Sequence, residues 1–190
     1  ILLLMLPFFY YFYFLIPQQQ SSNFESYYLG IMKNLNADEN KTSVKNWFER
    51  NYTFTELIGW VNNTLVFDET YDVSQRHWSV DPATIKEIGM GGSVEFSILY
   101  VSACLAQGYE SRIVVAVDVG NSNYWTDLHV WAEVKMCGWI HVDPSRNMWA
   151  NKRIYANGEW GDAIGSTVKI YAFDDGKCED VTLNYLSQSL

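Results

Sequence analysis

The chain has 190 residues, 48% of them apolar and 16% aromatic, enough to bury one good core in one globular domain. Its 22 acidic against 13 basic residues give a net charge of −9, which would repel a phosphate backbone and sets nucleic-acid binding aside. The three cysteines, Cys104, Cys137 and Cys178, show no C-x-x-C spacing, so neither a metal site nor a dithiol redox site is expected, and no cofactor is implied.

Residues 1–17, ILLLMLPFFYYFYFLIP, carry no charge and give way to the polar QQQSSN. The run is a little shorter than the roughly 20 residues of a membrane span, and its aromatic cluster suits an interfacial belt. It is expected to anchor the chain in a membrane or to bind a partner subunit, with residues 18–53 as a helical extension. If the remainder lies outside the cell, the N-x-T triplets at Asn40, Asn51 and Asn62 become candidate glycan sites.

From Asn23 to about Leu65 the stretches SSNFESYYLGIMKNL, VKNWFERN and TELIGWVNNTL space apolar residues three and four apart, which predicts helices. Pro82 suits the first turn of a short helix through Ile88, and Gly89 to Gly92 end it. From Val94 to Ala106 nearly every position is apolar or small, so a helix buried on all sides is expected, stopping near Gln107-Gly108. Cys104 in that run reads as a core residue. Cys137 and Cys178, in turn-like stretches with glycine close by, are candidate disulfide partners in an oxidising compartment.

Strand-like runs follow: SRIVVAVDV, DLHVWAEVK and GWIHVD, then VKIYAF and DVTLNYL around the turn DDGK. Helices first, then a buried helix feeding an antiparallel meander, predict an α+β fold with that helix against one face of the sheet. Arg112, at the start of the first run, is expected to make a structural ion pair or cap.

Alternation along LHVWAEVK puts His129, Trp131 and Glu133 on one face, and Trp139, His141 and Asp143 share a face of the next strand. A three-residue loop centred on Met136 would pair Glu133 with Trp139, Trp131 with His141, and His129 with Asp143. Opposed Cβ atoms lie about 5 Å apart, close enough for an imidazole to hydrogen-bond a carboxylate that fixes its tautomer. Ser93 opens the buried helix, where unpaired backbone N–H groups and the helix dipole favour negative charge. Gly92 leaves room for a substrate backbone; Trp131, Trp139 and His141 are candidates either to wall a cleft or to stabilise the sheet as cross-strand aromatics, and Trp78 either to border the cleft or to pack in the core. Glu95, three residues after Gly92, is expected to satisfy the helix start.

The order GGSVEFSILY, GYESRIVV, HVWAEV, GWIHVDP resembles the transglutaminase-like family, a branch of papain-like folds that includes microbial and archaeal transglutaminase-like domains and peptide N-glycanases. The upstream NTLVFD and HWSVDPATIKEIG are similar to the approach to that family's site, and the resemblance covers roughly residues 54 to 145 of a domain expected to span 54–190. It implies a papain-like transglutaminase core and a Cys, His, Asp triad falling on Ser93, His129 and Asp143.

Serine replaces the family's cysteine. A thiol at a helix start beside histidine has its pKa lowered by several units from about 8.5, whereas a hydroxyl must lose its proton during attack. Two function classes follow. One is a membrane-tethered, surface-exposed structural or binding module without turnover, taking a protein or peptide partner and open to homo-oligomers. The other is an acyl-transfer enzyme performing transglutamination, deamidation or peptide hydrolysis.

Overall fold

The computed structural model describes residues 16–68, 81–118, 128–149 and 167–186, with side chains from Asn23 onward. Helix α1 (Ile16–Asn36) carries Pro17 in its first turn, where a missing N–H costs nothing. Its inward stripe of Phe24, Tyr28, Ile31, Met32 and Leu35 is buried, the spacing of one helical face. Helix α2 (Asp38–Lys45) follows at once.

The helix expected over VKNWFERN is not formed. The chain leaves α2 at Lys45, and Trp47 and Phe48 sit in turns whose rings pack on Trp60, with centroids 6.1 and 4.8 Å away. The turn brings Arg50 to the start of α3 (Phe54–Thr64), where Arg50 Nη2 lies 2.8 Å from Glu56 Oε1. Thr53 and Glu56 form a reciprocal capping box: Glu56 N donates to Thr53 Oγ1 at 3.2 Å, and Thr53 N donates to Glu56 Oε2 at 2.8 Å.

Two short parallel strands, β1 (Val66–Phe67) and β2 (Met90–Gly91), flank α4 (Pro82–Ile88). Asp81 caps α4 by accepting from the amides of Ala83 and Thr84, and Gly89 ends it at φ 72°, a left-handed conformation that only glycine adopts cheaply. The central helix α5 (Ser93–Ala106) then runs through the middle of the molecule, with eleven of its side chains buried. Gly108 at φ 87° reverses the chain beyond it.

The sheet is six-stranded and antiparallel, in the order β6-β5-β4-β3-β7-β8, built from β3 (Ser111–Asp118), β4 (Leu128–Lys135), β5 (Trp139–Asp143), β6 (Met148–Trp149), β7 (Val168–Asp174) and β8 (Lys177–Asp180). Helices α1 to α3 cover α5 on one side, and the sheet covers it on the other. Alternation divides the strands between two cores. Ile113, Val115, Val130, Ala132, Val134 and Val142 face α5, while Val114, Ala116, Trp131, Val168, Ile170 and Ala172 face away.

The far face is closed by α6 (Thr182–Leu186), in a segment where a strand is expected. The change of period begins at Asp180, whose Oδ1 accepts from Thr182 N at 2.9 Å and from Thr182 Oγ1 at 2.5 Å, a cap that starts a helical turn. Tyr185 of α6 is thereby buried against Trp131, with ring centroids 5.6 Å apart.

Beneath α6 lies a charged network. Arg112 Nε and Nη2 grip Glu133 Oε2 at 2.8 and 2.7 Å, Tyr185 Oη donates to Glu133 Oε1 at 2.8 Å, and Arg112 Nη1 lies 3.3 Å from Glu179. Arg112 thus makes the expected ion pair, and its guanidinium also lies over the Trp139 ring at 4.0 Å. Cys104, Cys137 and Cys178 are all free thiols, so the anticipated Cys137 to Cys178 disulfide is absent; burial pushes the Cys104 thiol up to about 12. Among the described residues no helix is long and apolar enough to cross a membrane; residues 1–15, most of the anticipated anchor, lie outside them.

Two outcomes test this packing. Arg112→Ala leaves Glu133 buried and without its cation, and should cost about 3–5 kcal/mol by urea denaturation; a cost under about 1 kcal/mol would mean the network is solvated. Glu56 is held down to about 2 from its ordinary 4.5, chiefly by the Arg50 hydrogen bond and then by the Thr53 amide. A depressed carboxylate stabilises the fold above its unfolded value and loses that contribution as pH falls through the folded one. The stability gap between the native chain and Glu56→Gln should therefore be constant above pH 5 and shrink between pH 4.5 and 2.

Candidate active site

The start of α5 is shaped by two glycines and a glutamate. A Cβ on Gly91 would stand 2.5 Å from Glu95 Cβ and 2.8 Å from its Cγ, so only glycine lets Glu95 fold back there. Glu95 Oε2 accepts from Gly92 N at 2.9 Å, the helix-start role expected of it. Gly92 is buried in extended backbone, and Ser93, half-buried, is the first residue of the helix.

Two serines of α5 hold the strand residue beside His129. Val130 N donates to Ser93 Oγ at 3.4 Å, and Ser97 Oγ, one turn along the helix, donates to Val130 O at 3.0 Å. The helix start and the His129 end of β4 are thus joined through one residue, Val130. Ser97 is a residue that sequence reasoning passes over as a mere interruption of the apolar run. Its offset of four from Ser93 is the available signal, since that spacing puts both hydroxyls on one helix face.

His129 Nε2 lies 2.8 Å from Asp143 Oδ2, with the carboxylate fully buried and the imidazole 13% exposed. The pair meets by a different register from the anticipated one. Lys135 pairs with Trp139, Glu133 with His141, and Ala132 with Val142, so the loop is centred on Cys137 and the strands are shifted by two residues. A shift of two keeps every side chain on its face, and the His129 to Asp143 contact becomes diagonal rather than directly opposed. The loop closes with Met136 N donating to Gly138 O at 2.9 Å.

With Nε2 engaged by the carboxylate, that nitrogen carries the proton, and Nδ1 is the atom through which the ring would exchange a proton with a nucleophile. Asp143 is itself held: Ser145 Oγ donates to its Oδ1 at 2.7 Å and Arg146 N at 3.3 Å, while Arg146 Nε lies 3.7 Å from Oδ2. Ser145 follows an Asp-Pro step, a turn signal that could have marked it.

Trp131 does not wall a cleft. It is fully buried in the second core, where its ring stacks on His129 with centroids 5.8 Å apart and its Nε1 donates to Tyr185 Oη at 3.0 Å. His141 is likewise buried behind Trp131, whereas Trp139 is half-buried under Arg112. The indole is a rigid support for the imidazole, connected through Tyr185 to the Glu133 and Arg112 network. Trp78 lies outside the described residues.

Of the three N-x-T asparagines, Asn51 is exposed. Asn40 Nδ2 donates to Asn34 O and Oδ1 at 2.7 and 2.8 Å, and Asn62 Nδ2 donates to Ile58 O and Pro144 O, both at 2.9 Å. Among the described residues no group of three or more His, Cys, Asp or Glu side chains is placed to hold a metal ion.

A family model described as the transglutaminase-like superfamily matches residues 35–144. No curated protein matches the chain in sequence. Among solved structures, Rad4–Rad23 crosslinked to undamaged DNA superposes with a TM-score of 0.59 at 12% identity, over 88% of this chain and 47% of that one. A Parabacteroides distasonis protein described as a protease gives 0.52 at 12% identity, over 82% and 30%. A Cytophaga hutchinsonii protein described as a cysteine protease gives 0.43 at 17% identity, over 76% and 48%. At such identities the likeness to the Rad4–Rad23 and Parabacteroides structures is one of fold, and the chain spans half or less of each of the three matched chains.

Because Asp143 organises the turn as well as the imidazole, Asp143→Ala should destabilise by about 2–3 kcal/mol, and by more than His129→Ala. Urea denaturation of the two variants measures the difference; equal costs would mean that the carboxylate does not hold the turn.

Proposed function

The chain belongs to the transglutaminase-like superfamily, and from that premise we propose that it is a binding module built on an acyl-transfer site that Ser93 has silenced, presented on the outer face of a membrane to which residues 1–17 tether it. The observation that carries this reading is the hydroxyl at the first residue of α5, where the family's triad has a thiol.

The chemistry of that exchange is unfavourable. A thiol at a helix N-terminus near an imidazole is ionised before it meets substrate, while a serine must be deprotonated in the attack and needs an aligned base and oxyanion donors. Carbon to oxygen is also a shorter bond than carbon to sulfur, so the oxygen sits back from the position that a sulfur would reach. Displacement of about 1 Å can cost about a hundredfold in rate. The 3.4 Å approach of Val130 N to Ser93 Oγ adds a donor where a base would have to take a proton. The occupant proposed is a peptide or protein. The Rad4–Rad23 structure holds DNA, but a net charge of −9 argues against carrying that ligand over.

One observation favours a second reading. The 2.8 Å bond between His129 and Asp143 keeps the base and its orienting carboxylate assembled, as an enzyme using serine for hydrolysis or transfer of an amide or thioester-like acyl group would require.

Restoring sulfur separates the two. Ser93→Cys should be alkylated by iodoacetamide at pH 6.5 at least roughly tenfold faster than Ser93→Cys/His129→Ala, and the unmodified chain should show no turnover of p-nitrophenyl acetate or of glutamine-amide donors above that of Ser93→Ala. Turnover abolished by Ser93→Ala would overturn the silent-site reading in favour of the enzyme; equal alkylation of the two cysteine variants would overturn both.

A further inference from the structure

The carboxylate that orients His129 ends its strand, so what fixes it lies beyond the strand. The 3₁₀ turn Pro144–Arg146 folds back over Asp143, with the Ser145 hydroxyl and the Arg146 amide on Oδ1 and Asn147 closing the turn at φ 53°. That turn is held to the helical layer by a side chain 82 residues earlier in the chain: Asn62 of α3 donates from Nδ2 to Pro144 O at 2.9 Å and to Ile58 O of its own helix at 2.9 Å.

We propose that Asn62 is a positioning residue of the site, setting through Pro144 the place of the Asp143 carboxylate under His129. An amide –NH₂ has two hydrogens, and both are committed, one to the helix and one to the turn. The helix bond fixes the direction of the other, so the Pro144 carbonyl is anchored to α3 and not merely solvated. Proline supplies the rest of the linkage. Its ring locks its own φ, which removes rotation about the N–Cα bond as a way to absorb a displacement of the Pro144 carbonyl, so more of that displacement reaches Asp143. A hydrogen bond of 2.8 Å between His129 and Asp143 has little room for such movement before it lengthens and bends.

Asn62 also opens the triplet Asn62-Asn63-Thr64. A glycan would replace one of the two hydrogens and cannot coexist with both bonds, so this asparagine serves the turn in place of a sugar. The proposal rests on Ser93, His129 and Asp143 forming the site, and its test distinguishes the two.

An imidazole N–H donating to a buried carboxylate exchanges slowly and resonates far downfield, a signature that packing elsewhere does not produce. In the intact chain the His129 Nε2 proton should be observed by NMR, should persist in Asn36→Ala, and should be lost in Asn62→Ala. Asn36 is the fitting control because it donates to Met32 O within its own helix. In the Ser93→Cys background, Asn62→Ala should slow iodoacetamide alkylation about tenfold, with a cooperative unfolding transition retained. Should the alanine variant fail to fold, Asn62→Asp, of the same shape but without donors, is the variant to read, with the same loss expected. Persistence of the downfield proton and of the alkylation rate in the Asn62 variant would overturn the proposal alone. Absence of the proton from the unmodified chain would overturn it together with the triad beneath it.

Discussion

Helix α5 has no polar face to give to water, and the architecture is the solution to that constraint. An apolar cylinder must be wrapped, here by α1 to α3 on one side and by a six-stranded sheet on the other. Burying it throughout leaves its first turn as the place where backbone donors meet side-chain chemistry. The family's nucleophile position falls on that turn, and the strand ends bearing His129 and Asp143 are brought to it by the same packing. Ser93 and Ser97 make the connection direct by holding the N–H and the C=O of Val130.

The imidazole is supported from two directions. On the side of the sheet away from α5, Trp131 stacks on it and is fixed in turn by Tyr185, Glu133 and Arg112. At the strand end, Asp143 is bound by its own turn, which Asn62 ties to α3. Such satisfied polar networks are rigid because each member left unpaired in the interior would be costly. The consequence is an orienting apparatus intact around a hydroxyl. A base and its carboxylate held this firmly would serve a thiolate. Around Ser93 the same pair faces a hydroxyl, which has no ionised form to offer before attack.

Much of this was legible in the residues because period and parity survive folding. The uninterrupted apolar run predicts α5, and the period of two along LHVWAEVK and GWIHVD places His129 and Asp143 on one face whatever the register. Parity also leaves the register open: a shift of two residues leaves every face unchanged, so alternation does not distinguish loops centred on Met136 and Cys137. Alternation puts Trp131 on the face of His129 and so makes it a candidate cleft wall. Only the Asp180 cap reveals the helix that covers that tryptophan. VKNWFERN has helical spacing, but its aromatics are used by Trp60 across a turn. Asn62 and Ser97 act over long separations in the chain, and no local pattern carries such information.

The site stands on one geometry: His129 and Asp143, from adjacent strands, bonded to each other next to the Val130 amide that meets Ser93 at the first turn of the buried helix. A crystal structure of the full chain tests it most directly. Density should place His129 Nε2 within hydrogen-bond distance of Asp143, with Ser93 Oγ beside the Val130 amide. An imidazole turned away from Asp143, or Ser93 Oγ remote from Val130, would contradict it.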